Sequence, residues 1–124
     1  MKTIVTVFIL IISFDAFSQS DWINLGKEIG YDFYYKKGTI IRGSNPSVVV
    51  VGVPQKEMKD PSNTVIKYVT VNVTFYESDV GLRCIISNHL YFYNDKGYKK
   101  AGLPKRDLPL NYYVLLSKLY DAIR

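Results

Sequence analysis

Val65-Ile66-Lys67-Tyr68-Val69-Thr70-Val71-Asn72-Val73-Thr74-Phe75 sets the period of this chain. Val65, Val69, Val71, Val73 and Phe75 fall on one parity, and Thr70, Asn72 and Thr74 on the other. An alternation of two over this length predicts a β-strand with one buried and one wetter face. The turn-like Glu77-Ser78-Asp79-Val80-Gly81 follows, and then Leu82, Cys84, Ile86, Leu90 and Phe92 alternate with Arg83, Ser87 and His89, with Asn88 as the exception. An antiparallel partner strand is therefore expected over 82–93.

Working upstream, Tyr31–Tyr35, Thr39–Arg42 and Ser47–Val53 are aromatic or β-branched runs. They are separated by Lys37-Gly38 and Gly43-Ser44-Asn45-Pro46, which are turn compositions, so three more strands are expected. Trp22 is placed on a short first strand or at the edge of the core. Pro54–Asn63 carries two prolines and four charges, which predicts a solvent loop. Asn94-Asp95-Lys96-Gly97 reads as a further turn.

Downstream the period changes. Tyr112, Leu115, Leu116, Leu119, Ala122 and Ile123 form an apolar stripe at helical spacing, with Ser117, Lys118 and Asp121 opposite. Asp107 or Asn111 would cap this helix. The expected architecture is α+β: an antiparallel, meander-like sheet of five or six strands packed by one C-terminal amphipathic helix.

The first residues carry a different message. Lys2, an apolar run from Ile4 to Ile12 and the small-residue ending Ala16-Phe17-Ser18 have the order of a secretory signal peptide cut after Ser18. At about 1.5 Å of rise per residue the apolar run covers roughly half of a ~30 Å hydrocarbon core, too little for a membrane anchor. Residues 1–18 are expected to be a leader and residues 19–124 a single exported domain, in the periplasm, at the cell surface or secreted, with no membrane span after cleavage.

The chain has 124 residues, net charge +5, 48% hydrophobic residues, one Cys and one His. That is enough for one core, and it excludes a Cys/His zinc cluster and an internal disulfide framework. Cys84 is in phase with Leu82 and Ile86 and reads as a buried small hydrophobe, with an intermolecular bridge or a reactive thiol as alternatives. His89 reads as a surface residue. Counted along a regular strand, Cys84 and His89 lie on opposite faces about 17 Å apart, which excludes a nucleophilic pair. No phosphate-cradling loop, nucleophile elbow or metal-ligand spacing is present, so neither an enzyme nor a cofactor is expected.

Two features suggest contact with other molecules. Lys36, Lys37, Lys99 and Lys100 would form a cationic rim if both hairpin tips lie at one end of the sheet; the alternative is an ordinary solvated surface. Tyr34, Tyr91 and Tyr93 would form an aromatic strip on the solvent side, although tyrosine is also simply a good strand residue.

The order Asp21-Trp22, Tyr31-Asp32-Phe33-Tyr34-Tyr35, Thr39-Ile40-Ile41-Arg42, a valine strand, Glu77-Ser78-Asp79, Tyr91-Phe92-Tyr93-Asn94-Asp95-Lys96-Gly97 and a last helix resembles the surface-adhesin protein E-like proteins of bacteria. The resemblance implies an exported α+β domain over nearly all of 19–124, with a best-known relative that binds host extracellular-matrix proteins. Such proteins commonly carry an Asp-Cys pair and a Cys at the end of the last helix, which would bond. Here Val80 follows Asp79 and the chain ends Asp121-Ala122-Ile123-Arg124, so both members of that bridge are absent.

The expected function is a non-catalytic binding module for an extracellular protein or acidic polymer, through Tyr34, Lys36, Lys37, Tyr91, Tyr93, Lys99 and Lys100. Nucleic acid is not an expected partner. The alternative is a structural or assembly component of the envelope, with copies joined by edge-strand pairing.

Overall fold

The computed structural model describes residues 21–93 and 97–124. The expected leader lies outside the described residues, as do Asn94, Asp95 and Lys96 of the expected turn. Among the described residues, nine strands and one α-helix follow in order: β1 (Trp22–Glu28), β2 (Tyr31–Lys36), β3 (Ser47–Pro54), β4 (Met58–Lys59), β5 (Val65–Ile66), β6 (Tyr68–Ser78), β7 (Gly81–Phe92), β8 (Lys99–Ala101), β9 (Arg106–Pro109) and α1 (Val114–Ile123).

Seven strands make one antiparallel sheet in the order β1-β2-β3-β6-β7-β8, with β9 pairing β7 as well. The α+β class is as the periodicities predict. Six positions span the sheet, and the seventh strand arises because β7 is long enough for two short partners. Its Leu90–Phe92 end pairs β8, and its Arg83–Ile86 end pairs β9.

The alternating residues of the long strands build the core. Val48 and Val50 of β3, Val73 and Phe75 of β6, and Cys84 and Ile86 of β7 are buried on one face, where Leu116, Leu119 and Ile123 of α1 close over them. Phe75 meets the Tyr120 ring edge-on at 5.1 Å between centroids. Trp22 does open the first strand. In that strand a register shift between Asn24 and Gly26 accompanies burial of Leu25 in the core. Gly26, at φ +138°, would bring a Cβ to 3.0 Å from Leu115 Cδ2.

Three local expectations are corrected. Thr39–Arg42 is not a strand: Lys37–Thr39 forms a 3-10 turn, and only Ile41 bridges to Ser47. The Thr39 hydroxyl causes the break, donating to the Lys36 carbonyl at 2.7 Å and accepting the Val49 amide at 2.9 Å. It replaces the ladder with side-chain bonds.

The segment expected to be a bare loop contains β4, paired to β5. There Met58 packs against the buried cluster of Ile66, Val69 and Tyr93. Burial of Met58 and Ile66 gives the insertion a small core of its own.

The helix cap also differs. Neither Asp107 nor Asn111 caps α1, which begins at Val114 after a 3-10 turn over Leu110–Tyr112 and carries no side-chain cap from Tyr113. Instead both carboxylate oxygens of Glu28 accept first-turn amides, Val114 and Leu115, each at 2.9 Å. The end of β1 thus supplies the anion that a helix N-terminus favours.

Asp60 locks the insertion to the sheet. Its Oδ1 accepts the Ser62 and Thr64 amides at 2.9 and 3.0 Å, and its Oδ2 accepts the Tyr93 hydroxyl at 2.6 Å. The Tyr93 bond, then that from Ser62, holds the Asp60 carboxyl well below the usual carboxylate range. The same bond, then burial, pushes Tyr93 up to about 12.

Stability from Asp60 is therefore present above its unfolded pKa, near 4, and is lost as pH falls through the depressed folded value. Stability from Tyr93 is present below about pH 10 and is lost as pH rises through its raised folded value. Ultraviolet titration of the Asp60→Asn variant is expected to show one tyrosine returning from about 12 toward its ordinary value. An unchanged set of tyrosine titrations would break this assignment.

Candidate functional site

Helix α1 covers one face of the sheet. On the other face, no second layer of helix or sheet lies over the strands among the described residues. Strand register decides which residues lie on this outer face, where Val51 is fully buried among its neighbours. Asn24, Tyr34, Val51, Thr70, Leu90 and Ala101 are successive cross-strand partners and share it. Trp22 opposite Lys36 lies to one side of that row, and Tyr68, Phe92 and Lys99 to the other.

Aromatic rings and lysines pair here. Lys36 Nζ stands 5.6 Å from the centroid of the Trp22 ring. Across the sheet, Tyr68 and Phe92 stack at 4.6 Å and 11°, and Lys99 Nζ lies 5.8 Å from the Phe92 ring. Such contacts stabilise exposed sites by about 0.5–1 kcal/mol each and leave the ammonium charge in place for an incoming anion.

Between these pairs, Asp32 gathers Asn24 Nδ2 at 3.0 Å, the Tyr34 hydroxyl at 3.3 Å and Lys27 Nζ at 3.5 Å. Partial burial, then the Asp32 charge, raises the Tyr34 hydroxyl above its ordinary value. Tyr34 therefore presents a neutral ring and a tethered hydroxyl. Farther along the face, Asp107 accepts Arg83 Nε at 2.9 Å and is also bonded by the Tyr76 hydroxyl.

The residues expected to bind do not form one patch. Tyr34, Lys36 and Lys99 lie on the outer face, whereas Tyr91 and Tyr93 lie on the face that α1 packs, so the expected single aromatic strip is split. The cause is a β-bulge. Thr70 pairs Leu90 while Asn72 pairs Ser87, which leaves Asn88 and His89 together opposite Val71. Asn88 takes φ +57° at this point. Beyond it the parity of β7 changes, and His89 and Tyr91 face α1 while Leu90 and Phe92 face outward.

Lys100, opposite Tyr91, places its Nζ 5.8 Å from the Tyr93 ring. Lys37 is exposed in the 3-10 turn. The two lysine pairs do not share an end of the sheet: three strands separate β2 from β8, four spacings or about 19 Å.

The same bulge corrects the placement of His89, which is half-buried on the face that also carries Cys84 and Ile86, not on the outer surface. Its ring stands edge-on to Tyr91 at 4.9 Å. Cys84 is a free, fully buried thiol, as its phase with Ile86 predicts. Burial, then the Asp107 charge, pushes it up to about 11, so it is protonated at neutral pH and poorly nucleophilic.

Trp22, Tyr68 and Phe92 are the outer-face residues that sequence reasoning missed. Asn88 was the available signal for Phe92: a polar residue tolerant of positive φ on the apolar parity of a strand marks a bulge.

Among the described residues, no group of three or more His, Cys, Asp or Glu is placed to hold a metal ion, and no helix is long and apolar enough to cross a membrane. No family model and no curated protein matches the chain.

Solved structures do match. Protein E of Haemophilus influenzae in crystal form II superimposes with a TM-score of 0.63 at 15% identity, over 85% of this chain and 87% of that one. A second structure of the same protein gives 0.62 at 15% identity, over 85% and 84%. Protein E from non-typeable Haemophilus influenzae gives 0.57 at 14% identity, over 81% and 72%. TM-scores of 0.57 to 0.63 over this coverage give one conclusion: the chain has the fold of Haemophilus influenzae protein E.

Proposed function

We propose that this chain is an exported, non-catalytic binding module that holds an extracellular protein or acidic polymer on the outer face of its sheet. One observation carries the reading. The face left uncovered by α1 holds aromatic rings with lysines beside them, Trp22 with Lys36 and the Tyr68–Phe92 stack with Lys99. Aromatic side chains are enriched at protein-binding surfaces, and lysine ammoniums on an open face attract polyanions.

Export rests on the leader-like order of Lys2, Ile4–Ile12 and Ala16-Phe17-Ser18. The shared fold with protein E and the resemblance to surface-adhesin protein E-like sequences support the same reading. Tyr34, Lys36 and Lys99 act from the outer face; Lys37 and Lys100 add charge at two separate borders. Tyr91 and Tyr93 support the sheet from its other side.

Retention on immobilised matrix proteins and on heparin tests this proposal. Changing Lys36, Lys37, Lys99 and Lys100 together to Gln is expected to weaken heparin retention by about tenfold or more, equivalent to at least about 1.4 kcal/mol, while the chain stays folded and its melting point falls only by what the three lysine–ring contacts contribute. A chain that forms a stable oligomer and is retained on none of these surfaces would instead be an assembly component of the envelope.

A further inference from the structure

The other face of the sheet carries a separate feature. A cavity of about 190 Å³ lies between the sheet and α1, walled by Leu25, Val71, Val73, Ile86, Leu116 and Leu119. Gly52 borders it with no side chain, and a Cβ there would come within 2.8 Å of the Phe33 ring. Apolar cavities near 150 Å³ stay dry and admit benzene-sized guests. This one takes a somewhat larger apolar body.

Two exposed apolar side chains line it as well, Ile29 at 57% and Leu103 at 48% relative exposure. Ile29 occupies the two-residue turn between β1 and β2 at φ +50°, with Gly30 at +85°. A β-branched residue is a genuine outlier at such an angle, where Asn or Gly is the ordinary choice. Strain of this kind clusters at ligand clamps. Here it places an apolar lip on the cavity.

The polar lining is rich in donors. Arg106 Nη1 donates to the Tyr113 hydroxyl at 3.4 Å, and Arg106 makes no ion pair among the described residues. The Tyr113 hydroxyl, accepting from Arg106, keeps its own proton to donate. His89 Nδ1 accepts the Leu103 amide at 3.1 Å, so in the neutral ring Nε2 carries the proton. Burial, then the Arg106 charge, keeps His89 below its ordinary pKa and hence neutral at pH 7. The one carboxylate in the lining, Glu28, is already occupied by the Val114 and Leu115 amides. A guanidinium with no ion pair among the described residues, an imidazole N–H and a phenol O–H therefore border an apolar chamber.

We infer that this cavity binds a small amphiphilic carboxylate, with a medium-length alkyl chain among Val71, Val73 and Leu116 and its carboxylate on Arg106, assisted by His89 and Tyr113. The site is distinct from the outer face, so its fate is independent of the polymer-binding proposal. Titrating the purified chain with sodium octanoate, 1-octanol and octylamine at pH 7, read by thermal shift and by NMR of the His89 ring, tests it.

Octanoate is expected to bind saturably, about tenfold or more tighter than octanol, with octylamine weakest, and to shift the His89 signals. Arg106→Gln should abolish the octanoate preference while leaving octanol binding unchanged. Val71→Phe, which fills the chamber, should reduce binding of both. The inference is overturned if octanoate gives no saturable shift, or if Arg106→Gln, shown to be folded by its melting curve, keeps the same octanoate-to-octanol ratio.

Discussion

Phe75→Ala is expected to destabilise the domain by about 3–5 kcal/mol, the range for a phenylalanine removed from a closed core. Phe75 has 0% relative exposure, sits opposite Cys84 in the ladder and meets Tyr120 of the helix edge-on. The truncation removes its transfer free energy and opens a void that strands on both sides cannot close. It also takes away the ring against which the helix is oriented. Domains of this size are stable by about 5–15 kcal/mol, so the variant is left near its folding threshold. Urea unfolding should show a lower midpoint with an unchanged slope. A loss under about 1 kcal/mol would mean that the helix does not seal this face.

Glu28→Ala is expected to cost about 2–3 kcal/mol. Its carboxylate accepts two first-turn amides of α1 from 86 and 87 residues away. Hydrogen bonds to charged groups contribute about 1.5–3 kcal/mol each, less than additively when they share one carboxylate. Helix α1 has ten residues, too few to persist alone in water. Its first turn is therefore expected to lose hydrogen-exchange protection before the sheet does. Glu28→Gln, which keeps an acceptor and loses the charge, should fall between wild type and Ala. If Val114 and Leu115 exchange at unchanged rates in Glu28→Ala, the carboxylate is not the cap.

Both effects depend on contacts between distant parts of the chain, and that separates what the sequence predicts from what it does not. The alternation through Val69, Val71, Val73 and Phe75 is local and points directly to a strand with one buried face. The stripe of Leu116, Leu119 and Ile123 is equally local, and it places the helix on that face.

The cap on α1 is different, because Asp107 and Asn111 are reasonable local candidates and only the folded end of β1 brings Glu28 to the helix. Thr39–Arg42 has strand composition, but a hydroxyl that bonds the Lys36 carbonyl and the Val49 amide ends the ladder at that point. Composition does not encode that competition.

The candidate site was legible only in part, for a reason that lies in one residue. Tyr34 and Lys36 lie where simple alternation places them. Past Asn88 every side chain of β7 is on the opposite face from the one alternation assigns, so Tyr91 exchanges sides with Phe92. Trp22 became part of the surface only through its cross-strand pairing with Lys36. A period of two carries face assignments only as far as the next bulge.

Hydroxyl-radical footprinting of the chain with and without heparin tests the outer-face reading most directly. Protection of Trp22, Tyr34 and Tyr68, with Tyr112 and Tyr120 at the helix unchanged, is the predicted result. Protection confined to Tyr112 and Tyr120, with Trp22 and Tyr34 as reactive as in the free protein, would contradict it.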